Sequence, residues 1–148
     1  CVRAAMECPQ PRVALALALR GLMSAAIDVS DGLLGDLGHV LRRSGVGATV
    51  ALDALPVHPV LARRPVAQQQ DCILAGGDDY ELLFTAAPAQ RAEVLRRANA
   101  LNLAVHRIGR IEAFDAMRLI QAGLDGGSGD RVVPGVPNRW TSFDHFRR

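Results

Sequence analysis

One stretch constrains this chain more than any other. An apolar run, Ala25-Ala26-Ile27-Asp28-Val29, passes through Ser30-Asp31-Gly32 into Leu33, Leu34, Leu37, Val40 and Leu41. The second set falls at the spacing that lines one face of a helix, with Asp36 and Arg43 off that face. The first set is short, apolar and bounded by turn residues, as a buried strand is. Ser, Asp and Gly favour helix openings, Arg42 and Arg43 complement the dipole at the far end, and Gly45 supplies a stop. The stretch therefore predicts a strand–turn–helix unit with acidic residues where the strand ends.

The remainder alternates in the same way. Arg12 to Gly21 is read as a helix opened by Pro11. Val13, Leu15, Leu17 and Leu19 also alternate as in a strand, but the alanine content favours helix. Ala48 to Leu52 predicts a second strand. Asp53 to Pro65, with three prolines, predicts a loop. Val66 to Ala75 reads as a short helix, Gly76 to Tyr80 as a turn, and Glu81 to Ala86 as a third strand. Pro88 opens a helix with Val94, Leu95, Ala98 and Leu101 on one face and a Glu93/Arg97 pair. Val105–Ile111 and Met117–Gln121 predict two more strands joined around residues 112–115. Ala122 to Val136, rich in Gly and Asp, predicts an exposed turn region. Such interleaving predicts a layered α/β or α+β domain. The 148 residues suit one domain over 12–148 preceded by a connector over 1–11. Cys1 in place of Met is expected to mark a start inside a longer reading frame.

Composition narrows the function classes. The net charge is only +2, aromatics make up 4%, and all 17 basic residues are arginine. The charge balance and the lack of a base-stacking platform argue against nucleic acid as a partner. The absence of lysine excludes a P-loop lysine, a Schiff-base lysine and a lysine general base from these residues. No apolar run approaches the roughly 18–20 residues of a membrane span, and Val13–Leu19 lacks the cleavage site of a signal peptide. A cytoplasmic protein is expected, with Cys1, Cys8 and Cys72 as reduced thiols. His39, His58, His106 and His145 have no ligand partners at metal spacing.

Three segments could carry chemistry. In Asp28-Val29-Ser30-Asp31-Gly32, strand alternation turns Asp28 and Ser30 the same way while Val29 faces the core, and Asp31 projects from the following turn. Two carboxylates and a hydroxyl at a strand end suit Mg²⁺, which takes one or two carboxylates and leaves other positions to water and phosphate. A helix cap made by Ser30 or Asp31 is the plainer alternative. In Gly76-Gly77-Asp78-Asp79-Tyr80-Glu81, paired glycines allow close backbone approach and the acids could meet a metal or a cationic group; a simple turn is the alternative. The tail Trp140 to Phe146 either covers the core or stacks on a flat heterocycle.

Taken together, the chain resembles the thiamine-monophosphate kinase family. The resemblance rests on Arg12-Val13, Leu19-Arg20-Gly21, Ser24 to Leu33 with Asp36-Leu37-Gly38-His39, Ser44 to Ala48, Leu55-Pro56, Gly76 to Thr85, Ile108-Gly109, and Phe143-Asp144-His145-Phe146, in the family's order. It implies an α+β, layered α/β/α domain with a mixed sheet, like the C-terminal domain of aminoimidazole ribonucleotide synthetase, in a superfamily shared with selenophosphate synthetase.

The implied activity is ATP-dependent phosphorylation of thiamine monophosphate to thiamine diphosphate with Mg²⁺. By motif position the resemblance assigns Asp28 and Asp31 to metal, Ser30 to ATP, Asp78 (with Asp79 as the alternative) to the thiamine substrate, and Phe143 to stacking on its ring. No residue is assigned as acid or base. The family more often has Glu where Asp78 stands. Its N-terminal domain, which carries most of the ATP site and of a homodimer interface, has no counterpart in these residues, so the isolated chain is expected to be inactive. Other readings are another ATP-dependent enzyme of the superfamily, such as selenophosphate synthetase, or a non-catalytic structural fragment.

Overall fold

The computed structural model describes residues 7–114, 116–121 and 131–133. The predicted strand–turn–helix is present as β1 (Met23–Val29) and the helix Leu33–Ser44. A shorter helix, Val13–Ala18, precedes them, and these two helices are α1 and α2. There follow β2 (Gly47–Ala51), α3 (Val66–Ala75), β3 (Glu81–Ala86), α4 (Arg91–Ala100), β4 (Gly109–Glu112), β5 (Met117–Gln121) and β6 (Arg131–Val133). The six strands form two sheets. One is the antiparallel pair β1–β3, the other the four-stranded order β4-β2-β5-β6. In the second, β2 runs antiparallel to β4 and parallel to β5. The α+β class with a mixed sheet is thus present, with the strands shared between two sheets.

Helix α2 carries the main core. Leu33, Leu34, Leu37 and Leu41 are buried together with Val29 of β1, Val50 of β2, Leu119 of β5 and Leu74 of α3. Burying a leucine fully contributes roughly 1.5–3 kcal/mol, so this stripe fixes α2 to both sheets. The helix ends as its sequence predicts, with Gly45 in the left-handed region and its N–H directed to the Leu41 carbonyl.

A second core lies on the other side of β3. Leu15 and Leu19 from the α1 segment meet Val94 and Ala98 of α4, with Leu82 and Phe84 packed against them, while Leu83 points to the first core. The ambiguity at Val13–Leu19 is resolved by this packing. In a helix Leu15 and Leu19 share a face, which leaves Val13 and Leu17 59% and 64% exposed. Glu93 binds Arg97 at 2.7 Å, as its spacing predicts, and Arg97 also donates to the Ala18 carbonyl at 2.6 Å.

Four expectations are corrected. Strand β1 is not buried throughout: Ser24, Ala26 and Asp28 are exposed and the residues between them are partly or fully buried. Residues 105–108 are irregular, so β4 begins at Gly109. Leu95 and Leu101 are exposed rather than part of the apolar face of α4. Strand β6 interrupts the segment read as an exposed turn region, where it pairs antiparallel with β5. Among the described residues no helix is long and apolar enough to cross a membrane.

Candidate functional site

The site grows from the way β1 ends. Asp28 stands opposite Leu82, and Val29 opposite Glu81. Beyond the ladder the chains stay joined: Tyr80 donates its N–H to the Val29 carbonyl at 2.8 Å, and Asp78 donates to the Ser30 carbonyl at 2.9 Å. The Asp28–Gly32 turn and the Gly76–Glu81 loop, about fifty residues apart in the chain, thereby become one structure. Two glycines make the approach possible. A Cβ on Gly77 would lie 2.5 Å from the Ser30 carbonyl oxygen, and one on Gly32, whose φ is +104°, would lie 2.9 Å from the Ala75 Cα.

The loop is held in a costly conformation. Asp78 and Tyr80 have φ of +64° and +52°, and the left-handed region costs an ordinary residue roughly 1–2 kcal/mol. The two backbone bonds to Val29 and Ser30 offset that cost. Asp78 and Asp79 are exposed. The Asp79 carboxyl is nevertheless pushed above its ordinary range, first by partial loss of water and then by the charges of Glu81 and Asp78. That is the electrostatic setting that favours a neighbouring cation.

The turn itself is built differently from its plainer reading. Helix α2 begins at Gly32 without a side-chain cap, so neither Ser30 nor Asp31 serves as one. Asp36 does the holding: its Oδ2 accepts the Ser30 N–H at 3.0 Å and the Asp31 N–H at 3.1 Å. Asp36 is only 3% exposed, which corrects its expected place away from the packed face of α2. Position 36 lies three residues after Leu33, at the flank of the leucine stripe, where a short carboxylate can reach back to the turn. Hydrogen bonds to a charged acceptor contribute roughly 1.5–3 kcal/mol each, enough to set the turn's shape.

The carboxylates of Asp28 and Asp31 have no hydrogen-bond or ion-pair partner among the described residues. Asp28 is exposed and Asp31 half-buried. No group of three or more His, Cys, Asp or Glu side chains gathers around a metal position among the described residues. Two free carboxylates on a fixed turn do fit Mg²⁺, because its remaining ligands come from water and phosphate. A groove of about 270 Å³ runs past this end of the sheet, lined by residues that include Arg12, Asp28, Tyr80 and Glu81. Arg12 grips Glu81 through both carboxylate oxygens, at 2.6 and 2.8 Å, and so ties the segment before α1 to β3. Sequence reading gave Arg12 no role, since a salt bridge across 69 positions leaves no local trace. Phe143 and the rest of the 140–146 cluster lie outside the described residues.

An α+β domain with this acidic strand-end turn matches a known class. Residues 2–120 match the family described as AIR synthase related protein, C-terminal domain, and the chain belongs to that family. Within it, the chain is homologous to the C-terminal part of thiamine-monophosphate kinases. It is 38% identical over 139 residues to the enzyme of that name from Salmonella typhimurium, covering 93% of this chain and 40% of that protein. The crystal structure of the thiamine-monophosphate kinase from Stenotrophomonas maltophilia K279a matches 80% of this chain and 38% of its own, with a TM-score of 0.76 and 46% identity. A structure described as AaThiL complexed with AMPPCP and TMP matches 80% of this chain and 37% of its own, with a TM-score of 0.63 and 27% identity. The chain thus spans about two fifths of the length of these relatives.

Proposed function

We propose that this chain carries the metal-binding and substrate-side part of an enzyme that moves the terminal phosphoryl group of ATP onto thiamine monophosphate, yielding thiamine diphosphate and ADP. Asp28 and Asp31 would hold Mg²⁺, Ser30 would contact ATP, Asp78 or its neighbour Asp79 would contact thiamine, and Phe143 would stack on its ring. The remaining ATP contacts would come from an N-terminal domain of the kind the longer relatives have room for, in a cytoplasmic homodimer. Supporting this reading are the homology to thiamine-monophosphate kinases and a relative bound to AMPPCP, an ATP analogue, and TMP. The observation that carries it is the joining of the two motifs by the Asp78–Ser30 and Tyr80–Val29 backbone bonds.

Bound Mg²⁺ supplies charge neutralisation where two anionic phosphates must approach. The side chains then have only to bind and orient. The attacking group is a phosphate monoester, largely ionised near neutral pH, so a strong general base is dispensable. In-line placement matters more, and a turn fixed by Asp36 on one side and by the Gly77 loop on the other provides rigidity. The acidic loop suits the cationic thiazolium: a cation beside Asp79 would draw its raised carboxyl pKa back down.

The test joins these 148 residues behind the N-terminal region of the Stenotrophomonas kinase and measures thiamine diphosphate formed from ATP, Mg²⁺ and thiamine monophosphate. The joined protein should turn over, while the 148-residue chain alone should not. Asp31→Asn should cut turnover about 10²-fold or more, at least the 10- to 100-fold that loss of a group merely orienting a metal ligand costs, with an unchanged melting temperature. Turnover in that variant equal to the parent's would exclude the assignment.

A further inference from the structure

Asp36 takes no part in the chemistry above, yet it is the buried charge nearest to it. Its side chain lies inside the packed face of α2 at 3% exposure, and it accepts from two amides of the acidic turn, Ser30 N–H at 3.0 Å and Asp31 N–H at 3.1 Å. One oxygen, Oδ2, accepts both. A carboxylate in that position does two things. It occupies the inward-facing amides, so the Ser30 and Asp31 side chains are not drawn into capping them; no side-chain cap is found at this helix. It also ties down the backbone from which the Asp31 side chain projects, through two bonds to a buried acceptor. Groups that orient metal ligands in this way commonly change metal affinity by about 10- to 100-fold when removed.

We infer that Asp36 is the positioning residue of the acidic turn: its buried carboxylate, by accepting the Ser30 and Asp31 amides, presets Asp31 for a divalent cation. This rests on the reading of Asp28 and Asp31 as the metal pair, and the test separates the two claims. The probe is Mn²⁺ alone, titrated into the isotopically labelled 148-residue chain. Its paramagnetic broadening of amide signals reports weak binding, and amide exchange in metal-free protein reports the turn.

In the unmodified chain, Mn²⁺ should selectively broaden amides of residues 28–32, and Asp31→Asn should abolish that. Asp36→Asn keeps a neutral acceptor and the side-chain volume. It should raise the Mn²⁺ concentration for half-broadening about tenfold and speed exchange at Ser30 and Asp31, with Leu41 and Val50 amides as protected as before. Asp36→Ala should enlarge both effects; if it does not fold, Asp36→Asn decides alone. Equal Mn²⁺ sensitivity in Asp36→Asn and the parent overturns the positioning role while leaving the metal pair standing. So does weakened Mn²⁺ binding accompanied by equal acceleration at Leu41 and Val50, which would make Asp36 a structural residue only. Absence of selective broadening in the unmodified chain overturns the metal pair, and the positioning role with it.

Discussion

Strands β1 and β2 are nearly interchangeable as text, one Met-Ser-Ala-Ala-Ile-Asp-Val and the other Gly-Ala-Thr-Val-Ala, yet the fold uses them in opposite ways. Strand β2 has neighbours on both edges, β4 and β5, and is buried at every position. Its one polar side chain, Thr49, is satisfied by donating to Glu112 at 3.0 Å. Among the described residues strand β1 pairs with β3 alone, and it exposes alternate residues. The cross-strand partners of Ala26 and Asp28, Phe84 and Leu82, share their face of the sheet and pack into the second core, while Ala26 and Asp28 on the same face stay exposed. Small apolar residues therefore serve two ends here. In β2 they let α2 and the sheet pack closely; in β1 they leave Ser24, Ala26 and Asp28 exposed, the last a carboxylate without a partner among the described residues. Burial stabilises one strand, and the other keeps a carboxylate exposed at its end.

If that division is real, the largest loss should come from cutting into the core that β2 shares. Leu119 of β5 is 1% exposed and packs with Val50 and the α2 leucines. Leu119→Ala should destabilise the chain by about 2–5 kcal/mol, the usual range for a leucine truncated in a close-packed core. Urea unfolding followed by circular dichroism checks this. A loss below about 1 kcal/mol would mean the four-stranded sheet is not where stability resides.

The division was only partly legible in the sequence. Helix α2 was, because its leucines repeat at helical spacing and Gly45 stops it where a left-handed residue is needed. Strand β3 and helix α3 were, because Pro65, Gly76 and Pro88 bracket them. The exposed face of β1 was not, since hydropathy reports that a residue is apolar and not what packs over it. Asp36 was missed for a related reason: a pattern rule sends an acid outward unless its partners are known, and here they are backbone amides five and six residues earlier in the chain. Asp28, Ser30 and Asp31 are legible as a local group, because they follow one another where a strand ends. Their union with the Gly76–Glu81 loop depends on β1–β3 register, which no single-segment pattern encodes. The family resemblance supplied the pairing of motifs before the geometry explained it.

A matched pair of substitutions sharpens the comparison at intermediate size. Ala48 in β2 is 2% exposed and Ala26 in β1 is exposed. Adding the same two methyl groups at each should give different results. Ala48→Val overfills a packed layer and should cost about 1–3 kcal/mol. Ala26→Val adds a strand-favouring side chain to an open face and should change stability by no more than about 0.5 kcal/mol. Equal losses from chemical unfolding of the two variants would show that the outer face of β1 is packed after all.

The smallest expected effect concerns the helices that flank β3 rather than either strand. Glu93 of α4 is held by Arg96 and then Arg97, and its carboxyl is depressed from 4.5 to about 2. A depressed folded-state value means that the folded form binds its proton less readily than the unfolded one. The contribution is therefore complete above about pH 4.5 and fades as pH falls towards 2. Both partners are partly exposed, so solvent screens the interaction and the effect should be modest. Arg97 also anchors the Ala18 carbonyl at the end of α1, so protonating Glu93 frees Arg97 and should loosen the second core first. Amide exchange at Leu15 and Ala98 should accelerate across that acid window before exchange at Leu41 and Val50 does. Glu93→Gln should show the faster exchange at neutral pH, with little further change on acidification. Simultaneous acceleration in both cores would indicate that they open as one unit, and that the sheet without a second neighbour does not belong to a separately yielding layer.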